Sequence, residues 1–181
     1  MTAEQLCALP DADRVDRRLI RGILIERPSP YRSPAHAGVL PNLYRLFGNW
    51  EKTHGRGRWS VYGYGCPYRL HRDPDTLVHF DLSVIPAELK RATARFAHFM
   101  DGLPVFVAEV VDLNDTPEQV GELLGVALES GIPLVWMIDP FTESVDVHHR
   151  GGQRQILTPD HEITADPVLP GFRCRVAEIF E

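Results

Sequence analysis

The sequence has few of the residues that mark several common protein classes. Its three cysteines, Cys7, Cys66 and Cys174, are far apart and form no CxxC pair, so neither a disulfide framework nor a thiolate zinc site is indicated. No apolar run approaches the length of a membrane span, and residues 1–16 lack the apolar core of a signal peptide. These absences predict a soluble protein in a reducing, cytoplasmic setting with no membrane partner.

The chain is also poor in lysine and in net positive charge. Lys52 and Lys90 are its only lysines, and the formal net charge is -6 with a pI near 5.7. This balance argues against a broad basic surface, although it is compatible with a local basic cleft. The chain of 181 residues, 44% of them hydrophobic, is long enough for one full core. We expect a loose lead-in over residues 1–14 and a single domain over residues 15–181.

The most informative stretch is the apolar run 104–112, which contains Glu109. A continuous run of this kind, rich in β-branched residues, is typical of a strand buried on both faces. An ionised carboxylate in such a strand is costly unless a cation or hydrogen-bond donors accompany it. Glu109 is therefore the first candidate for the chemistry of a site.

The patterns around this run predict an α/β fold. Apolar residues at three- and four-residue steps indicate helices over 34–54 and from 117 to 131. The predicted strands are short apolar or alternating segments: two short strands around a glycine turn within 19–26, then 59–64, 67–71, 77–85, 134–138 and a hairpin within 144–157. The strand, helix and strand from 104 to 138 indicate a right-handed crossover between parallel strands. The expected architecture is a mixed β-sheet with a helix on each face.

Two acids on separate predicted strands form a candidate metal site. Asp81 lies in the predicted strand 77–85, and Glu109 lies in the run 104–112. If these strands are neighbours, both carboxylates can converge on one divalent cation, and oxygen ligands suit Mg²⁺ or Mn²⁺. Such a cation could bind a scissile phosphate and activate an attacking water. The spacing is equally compatible with a structural pair held by salt bridges.

Several segments, taken together and in order, resemble one known family. They are residues 22–28 (GILIERP), His36, residues 72–76 (RDPDT), the strand with Asp81, residues 107–110 (VAEV), residues 131–140 (GIPLVWMIDP) and residues 169–172 (LPGF). Their order is similar to that of the Uma-two family of restriction endonucleases, in the PD-D/E-x-K nuclease superfamily. The likeness runs from about residue 15 to the C-terminus.

The resemblance implies a restriction-endonuclease-like α/β core and metal-dependent cleavage of phosphodiester bonds. It implies Mg²⁺ or Mn²⁺ as the cofactor and nucleic acid, in the first place DNA, as the partner, and it is compatible with a homodimer. Asp81 falls on the aspartate of the family motif, and Glu109 falls on its glutamate. His36 falls on the histidine at the start of the first long helix.

The sequence departs from this pattern at the basic residue. Val111 stands two residues after Glu109, where the superfamily motif has lysine, and Leu123 stands where many family members have a lysine on the next helix. Arg18 occupies a position that is acidic in many members. In the superfamily the lysine orients the attacking water and stabilises developing charge. Its absence therefore bears on turnover more than on metal binding.

His36 and His79 are the side chains that could assist the two acids. His79 shares the face of Asp81 if the strand 77–85 is continuous, and it could then serve as the base. A histidine at a helix start, such as His36, is also explained as a solvated or capping residue.

Three functions are compatible with these residues. The first is a metal-dependent endonuclease, and the second is a non-catalytic module of nuclease fold that binds nucleic acid or protein. The third is a metal-free oligomerisation domain, which predicts a salt bridge to Glu109, for example from an arginine.

Overall fold

The computed structural model describes residues 1–10, 15–28, 32–152 and 154–181. The helices in these ranges are α1 (Ala3–Cys7), α2 (Pro34–Trp50), α3 (Ala87–Ala92), α4 (Pro117–Ser130) and α5 (Ala177–Phe180), and a π-helical turn, Glu51–Gly55, extends α2. The strands are β1 (Val15–Ile20), β2 (Ile23–Pro28), β3 (Trp59–Gly63), β4 (Pro67–His71), β5 (Thr76–His79), β6 (Leu82–Pro86), β7 (Met100–Asp101), β8 (Phe106–Val110), β9 (Leu134–Asp139), β10 (Ser144–His149), β11 (Arg154–Leu157), β12 (Glu162–Thr164) and β13 (Arg173–Arg175). None of the described helices is long and apolar enough to cross a membrane.

The described strands divide between two main sheets. The central sheet has the order β11-β10-β9-β8-β6-β3, and the second sheet has the order β2-β1-β5-β4-β7. Strands β12 and β13 form a separate ribbon. Strands β8 and β9, which are joined by α4, pair in parallel, so the parallel pairing predicted from the sequence is confirmed. The α/β class with helices flanking mixed strands is also confirmed, but the strands form two main sheets where one was expected.

The two long helices cover opposite faces of the central sheet. On β8, Phe106 belongs to the core under α2, whereas its neighbour Val107 packs with Leu123 of α4, as alternation along a strand requires. Phe47 of α2 is fully buried, and its ring centroid lies 4.8 Å from that of Phe106 and 4.1 Å from that of Phe172. Glu109 is two residues from Val107, so it lies on the face that α4 covers.

Local sequence signals fix the ends of α4. Thr116 accepts the Gln119 N–H, and the Gln119 side chain accepts the Thr116 N–H, which is a complete capping box with Pro117 at the first helical position. Gly131 ends the helix in a left-handed conformation with φ 107°, which glycine adopts without steric cost. These boundaries confirm the helix predicted from residue 117 to 131.

The strand predicted over residues 77–85 is divided in two. Strand β5 ends at His79 in the second sheet, and β6 starts at Leu82 in the central sheet. The connecting residue Asp81 donates its N–H to the side chain of Glu109 instead of to a neighbouring strand, so the ladder is interrupted there. The chain therefore passes from one sheet to the other at Asp81.

The N-terminal residues differ from the loose lead-in that was expected. Helix α1 has its own capping box at Thr2, and the Ala3 N–H donates to Oδ2 of Asp75 at 2.7 Å. Ala3 and Leu6 are buried in a small apolar cluster with Leu19 of β1. Residues 11–14 of the expected lead-in lie outside the described part of the chain.

We expect Phe47→Ala to lower the free energy of unfolding by about 3–5 kcal/mol, because it removes a ring that is enclosed by other aromatic rings and leaves a cavity. Urea unfolding at neutral pH measures this change. Phe96→Ala is the matched control, since Phe96 is 87% exposed and its truncation should change stability by less than about 0.5 kcal/mol. Equal effects of the two substitutions would contradict the packing described above.

Candidate active site

The structure brings the two predicted acids, Asp81 and Glu109, into direct contact. The Asp81 N–H donates to Oε2 of Glu109 at 3.1 Å, and the Val110 N–H donates to Oδ2 of Asp81 at 2.8 Å. The contact follows from the antiparallel pairing of β6 with β8, which sets Leu82 opposite Ala108. Asp81 is 1% exposed and Glu109 is 9% exposed. The two carboxylates therefore share one buried environment.

This environment opposes the ionisation of Glu109. Burial raises the pKa of Glu109 well above its usual range, and the adjacent Asp81 carboxylate raises it further. The positive charges of Arg18 and Arg32 favour the ionised form, but they do not outweigh these two effects. A buried acid whose ionisation is opposed in this way is stabilised in its charged form by an added cation.

His36 lies against Asp81 at the start of α2. Its side chain is 3% exposed, and its Nε2 is 3.3 Å from Oδ2 of Asp81. Ser33 caps the helix by accepting the His36 N–H at 3.2 Å, and the Ser33 N–H donates to Asp112 at 2.7 Å. Asp112 is the second residue after β8, so the exit of that strand holds the helix start that carries His36. The structure thus groups Asp81, Glu109 and His36.

His79 has a different set of partners. Its Nε2 lies 2.8 Å from Oδ1 of Asp16, and its ring contacts Tyr64 at a centroid distance of 5.2 Å. Within the described residues it makes no hydrogen bond to Asp81. The expectation that both residues lie on one strand face is wrong, because the strand ends between them.

Two arginines approach the carboxylates from outside the predicted set. Nη2 of Arg18 lies 3.9 Å from Oε1 of Glu109, and its Nε donates to Oδ2 of Asp16 at 2.9 Å. Arg32 is 3.5 Å from Asp115. Burial alone would lower the pKa of Arg32, but the charges of Asp115, Asp81 and Glu109 raise it overall.

The signal for Arg18 was present in the sequence. The first strand was expected to begin at Leu19, whereas β1 begins at Val15. A strand that starts there sets Asp16 and Arg18 on the same face. The charged sequence before Leu19 hid this alternation.

A cavity of about 330 Å³ opens onto Glu109. Its walls include three arginines, Arg18, Arg27 and Arg32. Val111 and Leu123 also line it. The resemblance described above implies a lysine at the first position from the superfamily motif, or at the second from many family members. The cavity therefore combines one of the buried acids with arginine charge and an apolar wall.

The two acids fit a partly hydrated hard cation. Among the described residues no group of three or more His, Cys, Asp and Glu side chains is arranged to hold a metal. Mg²⁺ usually keeps several waters and binds through one or two carboxylates. Asp81 and Glu109 provide that donor set, and the raised pKa of Glu109 indicates that their combined charge lacks full compensation.

The stability of the protein should fall relative to that of Glu109→Gln as the pH rises above about 4.5. The folded state holds the Glu109 proton to a higher pH than the unfolded state does, so ionisation costs folding free energy until the folded pKa is passed. Urea unfolding of both proteins from pH 4 to pH 8, without divalent metal, measures the difference. A constant difference across this range would contradict the raised pKa.

Comparison with known proteins agrees with this architecture. The fold is similar to the crystal structure of a protein described as a putative nuclease from Anabaena variabilis, with a TM-score of 0.79 and 16% identity over 99% of this chain and 97% of that chain. The TM-score shows a shared fold, and at this level of identity the likeness shows no more than the fold. No curated protein matches the chain. A family model described as "Putative restriction endonuclease" matches residues 3–177, and the chain therefore belongs to that family, Uma-two.

Proposed function

We propose that the protein is a divalent-metal-dependent nuclease that cleaves phosphodiester bonds in nucleic acid. The observation that carries the proposal is the buried pair Asp81 and Glu109, in which burial and mutual repulsion raise the pKa of Glu109 beside an arginine-lined cavity. Membership of a family described as restriction endonucleases supports the nuclease class. The paired carboxylates support Mg²⁺ or Mn²⁺ as the cofactor.

In this proposal Asp81 and Glu109 hold the cation. When bound, the ion polarises a phosphoryl oxygen and lowers the pKa of a bound water. The chain itself restrains the ligands, because Oδ2 of Asp81 accepts the Val110 N–H and faces Nε2 of His36. Partners of this kind fix the orientation of a ligating carboxylate. His36 is thus proposed to position Asp81.

The cavity walls favour a phosphate-bearing substrate. Arg27 and Arg32 line the cavity together with Arg18, and guanidinium groups match the geometry of phosphate oxygens. Each of the three arginines also pairs with an acid, Arg18 with Asp16, Arg27 with Glu122 and Arg32 with Asp115. They therefore offer directed N–H donors to a phosphate and not a net positive charge. DNA is the first substrate to test, because the family is described as restriction endonucleases.

A non-catalytic module that binds nucleic acid is the second candidate. Val111 and Leu123 place apolar side chains where a lysine would complete the motif. In addition, Arg18 lies near enough to Glu109 to offset part of its charge without a metal. This proximity also agrees with the arginine expected for a metal-free domain, so metal binding and cleavage must be measured separately.

We expect calorimetric titration with Mn²⁺ to detect binding that weakens at least about tenfold in Asp81→Asn and in Glu109→Gln, since each variant removes one of two charged ligands. Glu129→Gln is the control, because the Glu129 side chain is 65% exposed and pairs with Arg21 on the surface. No heat of binding in the wild type would exclude the proposed metal site.

Supercoiled plasmid and single-stranded circular DNA should be nicked by the wild type in Mn²⁺, and the same two variants should lose this activity. The chemistry requires both ligands, so residual cleavage by each variant should be at the level of the buffer. Metal binding without cleavage would favour the non-catalytic module. Cleavage that persists in both variants would show that another site, or a contaminant, is responsible.

A further inference from the structure

We infer that Arg18 is the residue that contacts the substrate phosphate next to Glu109, and that Asp16 and His79 position it. The inference deepens the proposed function and rests on it for the identity of the ligand, a phosphodiester group. Arg18 would give the site a permanent positive charge, although Val111 and Leu123 stand where the family resemblance implies a lysine. Three residues outside the motif acids thereby acquire one common role.

The strand geometry separates Arg18 from its neighbour Arg17. Successive side chains of a strand point to opposite faces, and Arg17 pairs with Glu26 at 2.9 Å. The side chain of Arg18 is instead 10% exposed and reaches the cavity that contains Glu109. Two adjacent arginines of β1 are therefore in different environments, which makes Arg17 a matched control.

Asp16 and His79 form a chain of contacts that holds Arg18 at its Nε. Asp16 is two residues before Arg18 and accepts its Nε–H on Oδ2, while Oδ1 of Asp16 lies 2.8 Å from Nε2 of His79. Burial tends to raise the pKa of Asp16, but the hydrogen bond with His79 and the charge of Arg18 hold it at about 2. The carboxylate is consequently charged at neutral pH and anchors one edge of the guanidinium.

The terminal Nη2 of Arg18 faces Glu109 without a hydrogen bond. The separation of 3.9 Å between Nη2 and Oε1 exceeds the length of a charge-assisted hydrogen bond, about 2.7–2.9 Å. Among the described residues, the one hydrogen bond found for the Arg18 side chain uses Nε. A guanidinium has five N–H donors, so its terminal donors can bind a phosphate oxygen that enters the cavity.

The chemistry of arginine limits the role. A guanidinium keeps its proton at accessible pH, so Arg18 cannot take a proton from the attacking water. It can stabilise negative charge on a phosphoryl oxygen, which is the electrostatic part of the role that lysine has in the superfamily. No bond to Arg18 forms or breaks in this proposal.

Binding of a short single-stranded DNA in EDTA, followed by fluorescence anisotropy, tests the contact without metal or cleavage. Arg18→Met should weaken binding about tenfold and reduce the salt dependence by about one phosphate contact. Arg17→Met should bind like the wild type. Equal affinities of Arg18→Met and Arg17→Met would overturn the inference. If Arg18→Met does not fold, Arg18→Lys is tested in its place. The lysine ammonium is a single point of charge and cannot bind Asp16 and the phosphate at the same time, so this variant should also bind DNA more weakly. An affinity of Arg18→Lys equal to that of the wild type would overturn the proposal.

A double-mutant cycle tests the positioning by Asp16. Asp16→Asn should weaken DNA binding several-fold in the wild type and leave it unchanged in the Arg18→Met background, because it acts through Arg18. His79→Gln should behave in the same way. Equal losses in both backgrounds would contradict a positioning role.

Mn²⁺ titration separates a failed inference from a failed function. Arg18→Met should bind Mn²⁺ at least as tightly as the wild type, because the substitution removes a positive charge near Glu109. If the wild type binds no Mn²⁺ but Arg18→Met still loses DNA affinity, the nuclease proposal fails and the phosphate contact stands. If the wild type cleaves DNA and Arg18→Met binds DNA like Arg17→Met, the contact with Arg18 fails.

Discussion

Two carboxylates buried side by side impose the main constraint on this protein. The Asp81 N–H donates a hydrogen bond to the Glu109 side chain, and the N–H of Val110, the residue after Glu109, donates one to the Asp81 side chain. These bonds fix the acids in place, but they do not neutralise two charges, and removal from water makes uncompensated charge costly. The groups around the pair can be understood as its partners: His36 at Asp81, and Arg18 near Glu109.

The same constraint explains why the site lies where two sheets meet. The Asp81 N–H binds a side chain and not a strand, and the chain changes sheets at that residue. The second sheet contributes β1, whose Asp16 and Arg18 then face an acid of the central sheet. The interruption at Asp81 thus lies where β1 of the second sheet brings Arg18 near Glu109.

Much of this arrangement can be predicted from the sequence because it depends on local patterns. The capping box at Thr116 and the glycine at residue 131 delimit α4, and an acid in the apolar run 104–112 marks Glu109 as unusual. The break at Asp81 could not be predicted, because the sequence of residues 77–85 resembles one continuous strand. The hydrogen bond from the Asp81 N–H to Glu109, which interrupts that strand, is a contact between residues far apart in the sequence. The role of β1 was hidden for a similar reason: its pairing with β5 is non-local, and its charges mask the alternation.

In the role inferred for it, Arg18 would differ chemically from a lysine. A lysine in such a cavity can change its protonation state when burial or a neighbouring charge lowers its pKa, and it can then act on the attacking water. Arginine keeps its charge, so it contributes attraction for phosphate but no proton transfer. The proton of an attacking water would then have to pass to a histidine or to solvent. His36 is hydrogen-bonded to Asp81 and His79 to Asp16, and such contacts orient an imidazole. In the proposed function, a cation held by Asp81 and Glu109 would lower the pKa of the water, so turnover would depend on these two acids.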